Sequence, residues 1–288
     1  MSEVRLGFAF NPTSEATVEL RDRALGWCAV RGVASWSAPS MEYETLVGEL
    51  ATTSALVVLG GDGTFLRAAR AVAEVDVPIL GINSGKVGFL SKAEAEQLHP
   101  VLEGVRAGAY ELEPRMALDV TILRGAADSS VEKSAPAPER HVALNDAAVV
   151  RGSQARVVHL EVTVDASHVA TYIADGIVVA TPTGSTGYSF SAGGPILDPT
   201  SRNLIVTPIA AYLSAIRSIV VDPRHAVVLR VLQAHDVLVS IDGRADYPLA
   251  VGDSVLLQAR ERPIRFVEPK GALPFWDLVR VKAELLPS

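Results

Sequence analysis

The fold class of the first half of this chain follows from Ala55-Leu56-Val57-Val58-Leu59-Gly60-Gly61-Asp62-Gly63-Thr64. A short apolar strand that enters paired glycines and then a helix is typical of α/β proteins. Gly60 and Gly61 carry no Cβ, so the backbone can approach an anion closely. Thr64 is predicted to cap a helix over residues 65–72, whose free N–H groups and dipole favour negative charge. The stretch therefore predicts a phosphate-binding turn.

Asp62 is the unusual residue of this turn. A carboxylate repels a phosphate unless it binds a metal or takes a proton from a substrate hydroxyl. That combination indicates phosphoryl transfer. The chain has no Gly-x4-Gly-Lys-[Ser/Thr] motif and hence no P-loop lysine, so Mg²⁺ is predicted to neutralise much of the phosphate charge.

Composition limits the class of protein. With 288 residues, the chain has about the length of two domains, and 49% hydrophobic with 20% charged residues is typical of soluble globular proteins. No apolar run reaches the roughly 18 residues of a membrane span, and the first residues lack a signal-peptide pattern. For that reason we expect no membrane partner. A single cysteine, Cys28, excludes an internal disulfide, so we expect a cytoplasmic protein. The net charge of −7 argues against a nucleic-acid partner.

Two domains are predicted, because the expected secondary structure changes along the chain. Before about residue 115, apolar strands at 4–10, 55–59 and 77–82 alternate with helical segments at 14–31, 41–52, 64–75 and 93–107. This alternation predicts an α/β domain with a parallel sheet over residues 1–114. Short β-rich runs separated by turn residues then predict a mostly β domain over 115–265, as layered sheets or a sandwich. The C-terminal segment, about 266–288, is expected to fold back on the first domain.

A second motif is the run Asp175-Gly176-Ile177-Val178-Val179-Ala180-Thr181-Pro182-Thr183-Gly184-Ser185-Thr186-Gly187-Tyr188. A strand leads into a turn rich in hydroxyls and glycine, with one aromatic ring, which suits a polar ligand with a flat ring such as a nucleotide. Taken alone, Asp175-Gly176 is equally typical of a hairpin turn, and Asp242-Gly243 is most typical of a β-turn.

Together these motifs resemble the NAD kinase family. The shared segments are Gly60–Thr64, Asn83-Ser84-Gly85-Lys86-Val87-Gly88-Phe89-Leu90, Leu144-Asn145-Asp146, Asp175–Tyr188, Thr207-Pro208-Ile209 and Ser240-Ile241-Asp242-Gly243. The resemblance implies transfer of a phosphoryl group from ATP to the 2′-hydroxyl of the adenosine ribose of NAD, which gives NADP. It also implies Mg²⁺ bound with ATP and a homodimer or homotetramer.

The resemblance assigns roles by position. Asp62 would be the general base or orienting acceptor for the hydroxyl. Two further groups would bind ligands: phosphate and ATP by Gly60, Gly61, Gly63, Thr64, Asn83 and Lys86, and NAD by Asn145, Asp146, Asp175, Thr183, Ser185, Thr186 and Tyr188. Asp175 would reach the nicotinamide end across a subunit boundary.

Three positions depart from the family pattern. Asp146 stands where the family has Glu, Gly187 replaces an Ala, and Ser218 replaces a proline. All three concern the acceptor site or its surroundings. Two alternatives therefore stand beside NAD phosphorylation: a diverged enzyme for another nucleoside or nucleotide hydroxyl, and a catalytically weak dinucleotide-binding regulator. A lipid kinase shares the Gly-Gly-Asp-Gly-Thr turn, but it would need a basic or apolar membrane-facing surface.

Overall fold

The chain forms two compact units in a computed structural model that describes residues 4–85, 88–125, 137–152, 156–212 and 216–284. The first unit is Met1–Arg115 with Pro263–Ser288, and the second is Met116–Arg262. The end of the chain thus belongs to the first unit, apart from residues 285–288, which lie outside the described ranges.

The first unit alternates strands and helices before the chain enters the second unit. Its elements are β1 (Arg5–Phe10), α1 (Glu15–Arg31), β2 (Ala34–Pro39), α2 (Tyr43–Leu50), β3 (Ala55–Leu59), α3 (Asp62–Val75), β4 (Ile79–Asn83), β5 (Ala93–Glu94), a 3₁₀ turn (Ala95–Gln97), α4 (Leu98–Arg106) and β6 (Tyr110–Arg115).

The second unit is almost entirely β. Its elements are β7 (Leu118–Leu123), β8 (Glu139–Ala143), β9 (Asp146–Arg151), β10 (Val158–Val164), β11 (Ser167–Ala174), β12 (Gly176–Ala180), a 3₁₀ turn (Thr183–Thr186), α5 (Tyr188–Ser191), β13 (Leu204–Ile209), β14 (Ile219–Val221), β15 (Val227–Gln233), β16 (Val237–Ile241), β17 (Ala245–Leu249) and β18 (Ser254–Ala259). The chain then returns to the first unit with β19 (Ile264–Pro269) and α6 (Phe275–Glu284).

The sheet of the first unit has the order β2-β1-β3-β4-β19-β6, with β5 on β4. All of its pairs are parallel except β19 with β6. Leu80 and Ile82 face the apolar cluster formed with α1 and α4. Gly81 lies between them and faces Phe65 of α3, so helices cover both sides of the sheet. The predicted α/β domain with a parallel sheet is confirmed.

The second unit contains two antiparallel six-stranded sheets, β11-β10-β15-β18-β7-β8 and β14-β13-β12-β9-β16-β17. Alternate residues of both sheets meet in one apolar core, to which one sheet contributes Leu160 and Leu229 and the other contributes Val149 and Val179. This period-2 alternation is the sandwich pattern. The predicted mostly β second domain is confirmed.

Two local predictions were wrong, and one strand was not predicted. The helix after the glycine turn begins at Asp62 with Gly61 as N-cap, so Thr64 lies inside the first turn and does not cap it. Residues 93 and 94 pair with β4 as a strand, and the helix predicted from 93 begins at Leu98. The strand β2 was missed because it is an edge strand of mixed polarity that ends at a proline.

None of the described helices is long and apolar enough to cross a bilayer.

Candidate functional site

The glycine turn of the first unit lies at the carboxyl end of the central strand β3. In parallel sheets this is where ligands bind. Gly60 has a φ of +144°, and a Cβ there would lie 2.9 Å from the Thr64 hydroxyl, so only glycine fits. Gly61 and Gly63 are exposed, whereas the Thr64 side chain is buried. Thr64 Oγ1 therefore packs under the turn, and the exposed surface of the turn is backbone.

The Asp62 carboxylate is fixed by backbone N–H groups of the loop after β4. Phe89 N–H donates to Oδ2 at 3.1 Å and Leu90 N–H donates to Oδ1 at 3.2 Å. Gly88 makes this contact possible, since a Cβ there would lie 1.9 Å from Oδ1. Asp62 is partly exposed. Each carboxylate oxygen accepts about two hydrogen bonds, so acceptor capacity is left for a ligand.

The loop that holds Asp62 is itself held by two side chains, Asn83 and Ser91. Asn83 Oδ1 accepts from Gly85 N–H at 3.0 Å, and its Nδ2 lies 3.4 Å from Ser91 Oγ. Ser91 Oγ also accepts from Gly88 N–H at 3.1 Å. Asn83 is thus placed beside the phosphate turn as a loop-fixing residue. Lys86, also predicted for the phosphate site, lies outside the described residues.

In the second unit, the turn Leu144–Asp146 leads into β9, whose first residue is Asp146, and borders a cavity of about 520 Å³. The cavity is lined by Asn145, Asp146, Ala148, Val150, Tyr188, Leu238, Ser240, Asp242, Gly243 and Asp246. One side is the apolar face of β9 and β16, and the other carries carboxylates, an amide and an aromatic ring. This mixture suits a ligand with a flat ring and several hydroxyls.

The hydroxyl-rich turn after β12 packs directly against Asn145. A Cβ on Gly184 would lie 2.0 Å from the carbonyl oxygen of Asn145. Ser185 is buried, and its hydroxyl accepts from Leu197 N–H at 2.7 Å. Thr183 is also buried. The predicted pair Thr183 and Ser185 thus lies within the folded turn, where Ser185 positions the backbone.

Thr186 and Tyr188 stand at the open side of this turn. Thr186 is partly exposed, and its hydroxyl lies 3.4 Å from the carbonyl oxygen of Thr183. The Tyr188 side chain is 44% exposed and lines the cavity. Burial raises the pKa of Tyr188, as do the nearby carboxylates of Asp146 and Asp175. The structure therefore brings Tyr188 together with both predicted acids.

The Asp146 carboxyl has a strongly perturbed pKa. Burial raises the pKa to about 7, and the carboxylate of Asp242 acts in the same direction. Burial also raises the pKa of Asp242, against the effect of the three backbone N–H groups that bind it. Perturbed acids of this kind are concentrated at functional sites. Asp146 can therefore change between a donor and an acceptor near neutral pH.

Asp175 lies near Tyr188 but is not among the residues that line the cavity. Its Oδ1 accepts from Arg151 Nε at 2.8 Å, and its side chain is 38% exposed. β11 and β12 belong to different sheets, so Asp175-Gly176 is a crossing between sheets and the hairpin alternative is wrong. A Cβ on Gly176 would lie 2.5 Å from the Val149 carbonyl, which explains the glycine.

Sequence reasoning missed three residues that build these sites: Ser91, Thr181 and Asp242. Thr181 lies in the quoted hydroxyl-rich run, but no signal separates its role from those of its neighbours. Asp242 was predicted only as a turn residue. That turn is confirmed, with φ values of +52° at Asp242 and +65° at Gly243. Two signals could have pointed to it: a carboxylate in an Asp-Gly turn at a strand end, and its place in the shared segment Ser240–Gly243.

The possible metal ligands in the described part of the chain are few. Among the described residues, no group of three or more His, Cys, Asp or Glu side chains could hold a metal ion. The one carboxylate of the phosphate turn, Asp62, is partly exposed, and hard oxygen donors of this type suit Mg²⁺. This donor set fits a magnesium ion that arrives on a substrate phosphate.

An α/β unit with a glycine turn around Asp62, joined to a β unit with a cavity of polar and aromatic lining, is the arrangement that the sequence predicts for a kinase. The ATP-NAD kinase N-terminal domain family matches residues 5–110, and the ATP-NAD kinase C-terminal domain family matches residues 144–269. The chain belongs to the NAD kinase family.

Individual relatives agree with this assignment. An NAD kinase of Symbiobacterium thermophilum is 45% identical over 228 residues, which cover 79% of this chain and 77% of that protein. An NAD kinase of Heliobacterium modesticaldum is 34% identical over 97% of this chain and 98% of its own length. An Archaeoglobus fulgidus NAD kinase solved with ATP has a TM-score of 0.74 at 25% identity, and covers 99% of this chain and 100% of that chain. A yeast NADH kinase solved with NADH has a TM-score of 0.82 at 22% identity, over 98% of this chain and 87% of that chain, and supports the fold.

Proposed function

We propose that this protein phosphorylates the 2′-hydroxyl of the adenosine ribose of NAD with ATP, which gives NADP. The observation that carries the proposal is the Asp62 carboxylate, held by Phe89 N–H and Leu90 N–H yet partly exposed beside a glycine turn. Relatives named NAD kinase cover nearly the whole chain at 34% identity. The lipid-kinase, regulator and diverged-acceptor alternatives are not favoured by these relatives.

The first unit, predicted as residues 1–114 with the C-terminal segment, is proposed to bind ATP. Gly61 and Gly63 offer exposed backbone, and Gly60 is buried beneath them in a conformation that only glycine fits. The N-terminus of α3 offers a positive dipole end for phosphate. The buried Thr64 and the loop-fixing Asn83 support this surface from beneath. Lys86 is proposed to contribute its charge.

The second unit, predicted as residues 115–265, is proposed to bind NAD. Asn145 and Asp146 face the cavity and offer an amide and a carboxyl to the adenine and ribose, and Tyr188 offers a ring face. Thr183, Ser185 and Thr186 shape the turn that carries them. Asp175 is partly exposed and is not among the residues that line this cavity. Both observations support a role at the nicotinamide end of NAD across a subunit boundary, in a homodimer or homotetramer.

Asp62 is proposed as the group that takes the proton of the sugar hydroxyl. The 2′-oxygen attacks the terminal phosphorus of ATP, a new O–P bond forms, the bond to the bridging oxygen breaks and ADP leaves. The hydroxyl proton passes to Asp62. Proton transfer of this kind contributes about 10²–10⁴-fold to a rate. Mg²⁺ bound with ATP would neutralise phosphate charge, and the Asp62 carboxylate would supply a protein oxygen that suits this ion.

We also propose a cytoplasmic location, which the single cysteine supports.

The test is phosphate transfer by the purified protein with ATP, Mg²⁺ and a panel of NAD, NADH, adenosine, other nucleosides and a lipid alcohol. We expect NADP from NAD. Product from a non-dinucleotide acceptor alone would reject NAD as the substrate.

Asp62→Asn is expected to lower kcat by about 10²-fold or more, because the amide cannot take the proton. NAD binding, measured by calorimetry, should persist. Asp76→Asn at the other end of α3 is the matched control, since Asp76 caps that helix and pairs with Arg265. Full turnover by Asp62→Asn would refute its assigned role.

A further inference from the structure

Asp242 adopts a backbone conformation that few residues other than glycine tolerate. Its φ is +52°, and Gly243 follows at +65° in the turn between β16 and β17. Arg244 N–H donates to the Ile241 carbonyl at 3.2 Å and closes this turn. Asp tolerates the left-handed region better than most residues. The turn points the Asp242 carboxylate back toward β9.

The Asp242 carboxylate binds three successive backbone N–H groups. Leu144 N–H donates to Oδ2 at 3.0 Å, and the N–H groups of Asn145 and Asp146 donate to Oδ1 at 2.8 and 3.2 Å. Leu144 and Asp146 are buried. Buried N–H groups without acceptors cost about 1–3 kcal/mol each. The Asp242 carboxylate therefore supplies the acceptors for all three N–H groups of the turn.

The carbonyl side of the same turn is bound by other groups. Thr181 Oγ1 donates to the Leu144 carbonyl at 2.6 Å, and Thr181 N–H donates to the Asn145 carbonyl at 2.8 Å. Asp242 N–H donates to the Asp146 carbonyl at 2.9 Å. The backbone N–H and carbonyl groups of residues 144–146 are thus all bound by Asp242 and Thr181. The turn has little freedom to rotate.

The side chains of this turn face the cavity as a result. Asn145 Oδ1 is buried and has no hydrogen-bond partner among the described residues, and Asp146 lines the same cavity. An unpaired buried oxygen is costly unless a ligand or water supplies a donor. It marks the point where a nucleotide would bind.

We propose that Asp242 is a positioning residue for nucleotide binding: it orients the Leu144–Asp146 turn so that Asn145 and Asp146 present their side chains to NAD. The inference rests on the proposed function, because it names how that site is held in shape. Asp242 acts through the backbone of the turn and need not touch the substrate.

The experiment measures kcat, KM for NAD and calorimetric NAD affinity for Asp242→Asn. The amide keeps the size of the side chain but offers one acceptor oxygen in place of two. We expect KM and Kd for NAD to rise about 10-fold, the equivalent of one lost hydrogen bond to a charged group, with kcat within about 3-fold.

The matched control is Asp253→Asn in the same unit. Asp253 is also buried and also binds backbone, with Gly125 N–H at 2.8 Å and Ala250 N–H at 3.0 Å. It is not among the residues that line the cavity. The control should lose stability while KM for NAD changes less than about 2-fold. Equal KM increases in both variants would overturn the proposal, since the effect would then be general loosening.

The pH profile gives a second readout that a merely structural role would not move. The titratable groups that line the cavity with Asp146 are Asp242, Tyr188 and Asp246. Arg244 acts on Asp242, and Asp175 and Arg151 act on Tyr188. The Asp242 charge raises the pKa of Asp146. Asp242→Asn removes that charge, so the midpoint of the pH dependence of KM should move to lower pH. An unchanged KM and midpoint would overturn the proposal.

Two results separate this inference from the proposed function. Wild-type protein that neither binds nor phosphorylates NAD would refute the proposed function itself. If the wild type is active and KM for NAD is unchanged in Asp242→Asn, only the positioning role is refuted. If Asp242→Asn does not fold, Thr181→Val carries the test, since it removes the hydroxyl donor to Leu144 from the opposite side of the turn. We expect a similar rise in KM, and an unchanged KM would reject the proposal.

Discussion

Asp146→Asn is expected to make the protein more stable, and the gain should grow with pH. The Asp146 carboxyl is buried beside Asp242, and its pKa is raised from the ordinary 3.8 to about 7. In the unfolded chain the group ionises near its ordinary pKa of 3.8. Between about pH 4 and 7 the unfolded state has lost the proton that the folded state keeps, so the wild-type free energy of unfolding falls as pH rises.

The size of the effect follows from the pKa difference. One pKa unit corresponds to about 1.4 kcal/mol, so the full difference amounts to roughly 4 kcal/mol. Below about pH 4 both states are protonated and the penalty is absent. Above about pH 7 the penalty is complete and constant. Asn carries no charge in either state, so the variant lacks this pH dependence.

The assay is urea unfolding of wild type and Asp146→Asn at a series of pH values from about 4 to 8.5. The difference in free energy of unfolding should be smallest at the acid end and rise to at most roughly 4 kcal/mol above about pH 7. Asp246→Asn removes an exposed carboxylate from the same cavity and controls for the loss of charge. A difference that is flat across this range, or that shrinks as pH rises, would refute the reasoning.

Two glycine substitutions test the geometry of each unit. Gly88→Ala should lower kcat about 10²-fold, because the new Cβ would lie 1.9 Å from Asp62 Oδ1. The control is Gly85→Ala in the same loop, where the nearest atom to a new Cβ is 4.0 Å away. Equal kcat values for the two variants in steady-state assays would contradict the prediction. Gly184→Ala should raise KM for NAD about 10-fold or more or prevent folding, since its Cβ would lie 2.0 Å from the Asn145 carbonyl. Normal KM with a normal thermal melt would contradict it.

Local features of the sequence were sufficient for the architecture. The apolar run Ala55–Leu59 followed by glycines predicted a buried strand and a turn, and the structure has both. Strands that alternate with helices before residue 115, and short strands after it, indicated both fold classes. These predictions succeed because burial periodicity and glycine freedom act within a few residues.

The sequence also singled out Asp62 as the candidate catalytic residue, because a carboxylate in a glycine turn predicted to bind phosphate needs a chemical reason, and that role stays a prediction. It did not reveal that Phe89 and Leu90 hold that carboxylate, at separations of 27 and 28 residues. Those contacts depend on β3 and β4 being neighbours in the sheet. The misplaced cap at Thr64 has a related cause, since glycine at the N-cap gives no side-chain signal.

The sequence alone determined the two kinds of layer and the membership of a kinase family, since each depends on short-range pattern and composition. Phosphate binding by the glycine turn stays a prediction. Only the tertiary structure decided that Asp242, 96 to 98 residues away, binds the backbone of the Leu144–Asp146 turn. It also decided that Asp146 has a pKa of about 7. Strand order brings those acids together, and burial removes the water that would otherwise stabilise their charge.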